Sequence, residues 1–443
     1  MKAACSIWLS GKTRPVLVIL LLALLAVFAL AVGCGEEEEA EEETVTPEAT
    51  PTAAVTGTAT PAVSPVAFGP GVTDSEIILG MHLPMTGMLG MYKMIADALQ
   101  AYIKYVNEEQ GGVCGRRIVI KTYDDQGDYS KALEVSRKAV EEDGVLAMVG
   151  CLGPHDAAAE YLNENGVPDL MIFSFAEKFS DPEKYPWVTV AVGSWYLEGR
   201  NFATYIKENY PGKKVGILYQ NNEAGGDQLR GLQEFLDPSN PLVAAESHEE
   251  TAVDVRSQML KLKEAGTEVL VLTTSIPFTA QALKQAKRMD WKPAGLLLEY
   301  GNTDPLLFQY VLPELVEGAI AFHAFKMPEW TDDPAVAEHH RIMKEHGGPA
   351  PSIFTILMHN IGEILVETLN RTCDNLTREG VMEAHLSFDH TWCPSLLYPG
   401  TCIDTSPTDH RVISEGIMSQ VVLENGKPVW KELGRVMDFE PEE

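Results

Sequence analysis

The chain has 443 residues, 45% of them apolar and 22% charged, which at roughly 100–200 residues per domain allows about two or three domains with ordinary cores. Lys and Arg number 34 against 64 Asp and Glu, a formal charge of −30; such a field repels a phosphate backbone and excludes nucleic acid as a partner. Residues 1–50 carry three cations and eight glutamates, so the remaining chain still holds −25 and the acidity belongs to the body of the protein.

The N-terminus carries Lys2, Lys12 and Arg14, followed by an uncharged run from Pro15 to Val32 made mostly of Leu, Val and Ala. That length suits either a transmembrane helix or the apolar region of a signal peptide. The run ends in Ala31-Val32-Gly33-Cys34, with small residues before the cysteine. It resembles a bacterial lipoprotein signal, residues 1–33 being removed and Cys34 becoming the lipidated first residue, although Ala31 stands where such signals usually have Leu. The other reading is an uncleaved anchor helix. Both put residues 35–443 outside the cytoplasm, held at the outer face of the cell membrane or in a periplasm if an outer membrane exists. Residues 34–72 are Glu-rich, then Thr/Pro/Ala-rich, with Pro47, Pro51, Pro61 and Pro65. They lack the apolar density to offset ordering entropy and are expected to form a disordered, extended tether.

From Gly71 onward, short β-rich runs alternate with helical patterns. The runs are Glu76–Gly80, Ile118–Tyr123, Leu146–Val149, Leu170–Phe173, Val188–Ala191, Val215–Tyr219, Val269–Thr273, Leu296–Leu298 and Ala319–Phe322. Between them lie stripes at helical spacing: Ile95, Leu99, Tyr102, Ile103 and Val106; Ala132, Val135 and Ala139; Val255, Met259 and Leu262. This pattern predicts an α/β protein of βαβ units with parallel sheets, and so many strands predict two doubly wound parallel-sheet lobes.

In such sheets ligands bind beyond the carboxyl ends of the strands, so the loops following each strand carry the functional information. The helix start Gly153-Pro154-His155-Asp156 offers unpaired N–H groups to a carboxylate. Glu299 could face a ligand ammonium group, and Tyr92, Phe175, Trp195 and Tyr196 could close on an apolar moiety. His155 and Asp156 are read equally as ligand contacts or caps. Asp124-Asp125 reads as a turn feature and His339-His340 as a solvated helix face. Gly225-Gly226 lacks the Lys-Ser/Thr of a phosphate loop.

Of the cysteines beyond Cys34, Cys393 and Cys402 flank a short Pro/Gly-containing loop and are expected to pair. Cys373 could compete for either; Cys114 and Cys151 could pair with each other or stay separate. No cysteine or histidine spacing suits a metal, and no cofactor motif is present. Nor is there a Gly-x-Ser-x-Gly elbow, a zinc motif or a Ser/His/acid set, so an extracellular hydrolase is the weaker reading beside a non-catalytic receptor or a sensor module.

The segments Gly71-Val72-Thr73-Asp74-Ser75-Glu76-Ile77-Ile78-Leu79-Gly80, Pro84-Met85-Thr86-Gly87, Gly111-Gly112-Val113, Asp124-Asp125, Asn165-Gly166-Val167-Pro168 and Ser406-Pro407-Thr408-Asp409-His410-Arg411 resemble the branched-chain amino-acid-type (Leu/Ile/Val-binding-like) solute-binding proteins of ABC transporters, over about residues 71–440. The resemblance implies the type I periplasmic-binding-protein fold: two lobes joined by three crossover strands, lobe 1 holding 73–192 and 324–411 and lobe 2 holding 193–323 and 412–443. It also implies a monomer whose lobes close by hinge motion on a small molecule and then meet ABC permease subunits. Carried over by position, the implied ligand contacts are Tyr92; Gly153, Pro154 and His155; Ser174, Phe175 and Ala176; Asn222 and Glu223; Ser275 and Ile276; and Glu299 and Tyr300. Trp195 and Tyr196 lie beside them. His155 and Asp156 stand where the family usually has serine or threonine, Ala224 where it has an aromatic, and Glu177 where it has a small threonine. These departures leave the ligand open among amino acids, amides and aromatic acids.

Overall fold

The computed structural model describes residues 67–249 and 251–438. The lipoprotein-type signal, Cys34 and most of the expected tether lie outside the described residues. The last residues assigned to the tether do not hang free: Ala67–Phe68 pair in parallel with Asn375–Leu376, and Gly69 N–H donates to Leu376 at 2.7 Å.

The chain first lays down β1 (Glu76–Leu83), β2 (Arg117–Asp124), β3 (Met148–Val149), β4 (Asp169–Ile172) and β5 (Val188–Val192), with helices α1 (Lys93–Glu109), α2 (Tyr129–Arg137) and α3 (Asp156–Glu164) between them. It then crosses at Gly193-Ser194 into α4 (Trp195–Asn209) and a second set: β6 (Val215–Gln220), α5 (Glu223–Phe235), β7 (Leu242–His248), α6 (Arg256–Glu264), β8 (Val269–Thr273), α7 (Ile276–Arg288), β9 (Gly295–Leu298) and β10 (Ile320–His323). A second crossing returns it to the first lobe through α8 (Pro334–His346), α9 (Ile353–Arg371), α10 (Arg378–His385) and β11 (Arg411–Ile413). The third crossing, at Ser414, leads to β12 (Glu415–Glu424) and β13 (Lys427–Asp438) in the second lobe.

The lobe-1 sheet has the order β11-β5-β4-β3-β1-β2 and is wholly parallel. The lobe-2 sheet has the order β13-β12-β10-β9-β8-β6-β7, parallel except where β12 and β13 join. Both repeat one doubly wound pattern, with the strand order reversing between the first and third strands of each set. The reason is legible in β8: Val269–Thr273 is an uninterrupted β-branched and leucine run, buried throughout, as a strand covered by helices on both faces must be. In lobe 1, α1 packs against α8 and α9, presenting Ile95, Leu99, Tyr102, Ile103 and Val106 as the stripe expected from their spacing.

Two features differ from the sequence expectation. β12 and β13 form a hairpin absent from the strand–helix alternation, in which Asn425-Gly426 sits between paired Glu424 and Lys427 with φ of +52° and +76°. That is the backbone a two-residue primed turn demands, and the Asn-Gly pair is its sequence signature. His339 is not on a solvated face: it is fully buried, with Nε2 at 2.8 Å from Thr355 Oγ1 and Nδ1 at 3.1 Å from His359.

Disulfides join Cys393 to Cys402 and Cys114 to Cys373, the second tying the β1–β2 connection to the end of α9. Cys114 therefore does not pair with Cys151, which is a buried free thiol. No described helix is long and apolar enough to cross a membrane.

Candidate functional site

Reversal of strand order opens a crevice at the carboxyl edge of each sheet, and the loops after β1, β3, β4, β6, β8 and β9 emerge there. In lobe 1 the Pro84–Gly87 loop is fixed from below by Asp124, which accepts from Met85 N–H at 2.8 Å and from the Thr86 hydroxyl at 2.6 Å. Burial works against the Asp124 carboxylate, but these hydrogen bonds hold its pKa below the ordinary value. Asp125 points inward instead and meets His82 Nδ1 at 2.8 Å, both side chains fully buried.

His155 has the same arrangement. Its Nε2 lies 2.5 Å from Asp169 Oδ2, and its ring stacks on His82 with centroids 4.9 Å apart. The imidazole expected at the ligand is thus turned into the lobe-1 core, where Asp169 on β4 claims it. Its neighbours Gly153 and Pro154 stay at the surface of the loop, Gly153 with a φ of +107° that a side chain would strain. Cys151 lies in the same buried cluster, and burial, then the Asp169 charge, push its thiol pKa far up, so it is not a nucleophile.

At the junction of the lobes, Phe175 stacks on Trp195, centroids 5.1 Å apart and planes 9° from parallel, and Trp195 N–H donates to Phe175 O at 3.0 Å. Ser174 is half-buried and Ala176 buried beside them. Tyr92, at the start of α1, meets Phe354 edge-on within lobe 1. Tyr196 turns to α5, its hydroxyl donating to Glu234 at 2.5 Å and its ring lying under Arg230.

A cavity of about 530 Å³ opens between the lobes. Glu177, Lys178, Asp181, Thr408 and Arg411 line it from lobe 1; Glu223, Asp227 and Arg230 line it from lobe 2. Its size lies within the range of small-molecule sites. Its walls are joined by charge. Lys178 bonds Asp156 in its own lobe and Glu223 across the gap. The backbone N–H of Glu177 donates to Asp227 Oδ2 at 2.8 Å, again across the lobes, and Asp227 pairs with Arg230 at 2.8 Å. Arg411 bonds Glu177 at 2.9 Å and Asp409 at 3.0 Å, and the Ser194 hydroxyl at the first crossing donates to Glu177. Burial opposes the Lys178 charge, but its two carboxylates outweigh that and raise its pKa.

On the lobe-2 wall, Asn222 caps α5 by accepting from Gly225 N–H at 2.9 Å, and Ser275 and Ile276 open α7, Ile276 buried. Glu299 is buried; it accepts from Gly301 N–H at 2.6 Å and from the Asn302 amide at 2.5 Å. Burial raises its pKa to about 8 against those two hydrogen bonds. Tyr300 is buried beside it, edge-on to Phe325 of the second crossing.

Of the residues expected from sequence, the structure brings Glu223 to the inter-lobe cavity, with Asp156 reaching it only through Lys178, while Phe175 and Trp195 meet at the junction. Lys178, Asp227, Arg230 and Arg411 escaped the sequence reading as site residues. Asp227 and Arg230 were findable, since they follow Glu223 by one and two helical turns on α5. Lys178 was not, because its partners are 22 and 45 residues away. Among the described residues no group of three His, Cys, Asp or Glu side chains could hold a metal.

Comparison with known proteins identifies the family and the fold. A family model described as periplasmic binding protein matches residues 76–427. The Leu/Ile/Val-binding protein homolog 7 of Brucella abortus is 23% identical over 330 residues, covering 70% of this chain and 80% of its own. A branched-chain amino acid ABC transporter protein from Thermus thermophilus, solved with bound valine, superposes with a TM-score of 0.72 at 18% identity, over 83% of this chain and 97% of its own. A fatty acid ABC transporter substrate-binding protein from Thermomonospora curvata gives 0.69 at 22%, over 84% and 95%.

Proposed function

Because the chain belongs to the periplasmic binding protein family, whose members are extracytoplasmic solute-binding receptors and not enzymes, we propose that it captures a small amino-acid-like, amide or aromatic solute between its lobes and presents it to an ABC importer. The observation that carries this reading is the cavity of about 530 Å³ walled by both lobes and bridged by Lys178–Glu223 and Glu177–Asp227. Contacts that cross the gap and nowhere enter a sheet can break without unfolding either lobe, which a hinge requires.

In this reading the three crossings at Gly193-Ser194, at 324–333 and at Ser414 act as the hinge. Lobe 1 contributes Tyr92, Gly153, Pro154, Ser174, Phe175 and Ala176. Lobe 2 contributes Trp195, Asn222, Glu223, Ser275, Ile276, Glu299 and Tyr300. The apolar run before Cys34 supports attachment through a lipidated Cys34, with the Glu- and Pro-rich segment holding a monomeric body clear of the bilayer.

Thermal-shift screening against amino acids, amides, fatty acids and aromatic acids tests the proposal, since a solute that binds only the folded chain must raise its Tm. A stabilising hit should also reduce the radius of gyration in solution scattering. A hit that is chemically altered on incubation would instead make the protein an enzyme.

A further inference from the structure

The disulfide between Cys393 and Cys402, cysteines 9 positions apart, closes a short loop that lies on the hinge. Helix α9 of lobe 1 holds its base: Ser395 N–H donates to Glu363 at 2.6 Å, and Leu396 N–H donates to the Asn360 side-chain oxygen at 3.2 Å. Leu396 and Leu397 are buried. The loop backbone then pairs with the second crossing. Lys326 N–H donates to Leu396 O at 3.0 Å and Tyr398 N–H to Ala324 O at 2.9 Å, with Phe325 and Leu397 opposed in an antiparallel bridge. The far end of the loop meets the third crossing, where Cys402 N–H donates to the Glu415 carboxylate at 3.1 Å.

One side chain carries the loop across to lobe 2. The Tyr398 hydroxyl donates to Glu432 on β13. The two stand on opposite walls of a narrow crevice, Phe325, Trp330 and Tyr398 on one side and Ile417, Trp430 and Glu432 on the other. The Tyr398 ring lies edge-on to Trp330, which fixes where its hydroxyl points. As a side-chain contact outside both sheets, the Tyr398–Glu432 bond can break when the lobes part.

A loop that merely finished lobe 1 would need its bonds to α9 alone. This one also joins two of the three crossings and reaches the opposite lobe. The disulfide limits the alternative conformations of the loop and so keeps its hydrogen bonds to the crossings in place. The same conformation carries Lys178–Glu223 and Glu177–Asp227 across the cleft, so loop and cleft bridges favour one lobes-together state. We propose that the Cys393–Cys402 loop is a strap binding the second and third crossings into one unit, and that Tyr398, positioned by it, works with Glu432 to hold the lobes together. The pair thereby sets how readily the empty protein opens and, since the closed form is the one that holds a solute, the affinity of the receptor. The inference rests on the receptor reading above and adds the residues that tune it.

The test is amide hydrogen exchange in the ligand-free protein. Glu177 N–H, bonded to Asp227 of lobe 2, is shielded where the lobes meet, so its exchange rate reads their parting. Tyr398→Phe, which loses one hydroxyl and keeps the ring, should raise that rate about threefold. Glu432→Ala should do the same, while Glu432→Gln, whose amide oxygen still accepts, should stay near the parent rate. Cys393→Ser/Cys402→Ser should raise the rate at least as far as Tyr398→Phe. Cys114→Ser/Cys373→Ser, which removes the other disulfide, should lower the Tm and leave the rate alone. An unchanged rate in either Tyr398→Phe or Glu432→Ala overturns the strap, and so does an equal rise in the two disulfide variants. Neither result touches the receptor reading, which falls instead if no solute in the thermal screen binds.

Discussion

His82 and His155 lie face to face in the interior of lobe 1, ring centroids 4.9 Å apart and planes 17° from parallel, each bonded at its edge to a buried aspartate. At His82 the neighbouring His155 ring opposes a proton while Asp125 and Asp169 favour one. Burial is the largest influence on His82 and lowers its pKa, with the Asp125 hydrogen bond resisting. The unfolded chain binds a proton at His82 near pH 6.5 while the folded chain does not. Stability is therefore whole above that pH and falls as pH drops below it, by at most about 1.4 kcal/mol per pH unit for one proton. In His82→Asn, where the amide can still donate to Asp125, the loss of Tm between pH 7.5 and pH 5.5 should be smaller than in the parent. Thermal melts at the two pH values measure it. An equal or larger loss would show that His82 takes up its proton in the folded state.

Lys178 holds Asp156 of lobe 1 and Glu223 of lobe 2 on one ammonium group. The side chain is 22% exposed and Glu223 half exposed, so screening limits each pair to about 1 kcal/mol or less. Lys178→Met should leave the melting temperature nearly unchanged, because no sheet depends on the pair. It should shift the ligand-free population toward separated lobes by at most roughly fivefold, the equivalent of about 1 kcal/mol for the one pair that crosses. The readout is a larger radius of gyration in solution scattering and weaker binding of any hit. An unchanged radius with unchanged affinity would mean that the bridge does not hold the lobes together.

The architecture was readable because each lobe is built from short buried runs such as Val269–Thr273 and stripes such as Ile95–Val106, whose periods are local properties of the sequence. The hairpin was equally local; Asn425-Gly426 announced it and went unread beside the stronger helix–strand alternation. The site was less legible because its chemistry is made by partners far apart in the chain. Nothing near His155 in sequence says that Asp169 will draw its ring inward, and nothing near Cys114 names Cys373, 259 residues away, as its partner. Glu299 was found as an acid at a strand end. Glu198 reads in the sequence simply as part of a helix face, and only the fold brings the Tyr300 backbone against it.

The two helices that carry Glu198 and Gln228 cross at glycines. A Cβ on Gly231 would lie 2.2 Å from the Tyr196 carbonyl oxygen, and one on Gly199 would lie 2.6 Å from that of Gln228. Both obstacles are backbone, so a methyl group can be accommodated only by parting α4 from α5. Gly231→Ala should therefore destabilise the protein by about 1–3 kcal/mol, as overpacking does, despite the better helix propensity of alanine. Gly226, on the same helix, has nothing within 4 Å of its Cβ position. There alanine meets no obstacle and should add about 0.5–1 kcal/mol. Denaturant melts of the two variants make the comparison internal to one helix. Equal stabilities in the pair would mean that α4 and α5 do not approach as closely as the glycines allow.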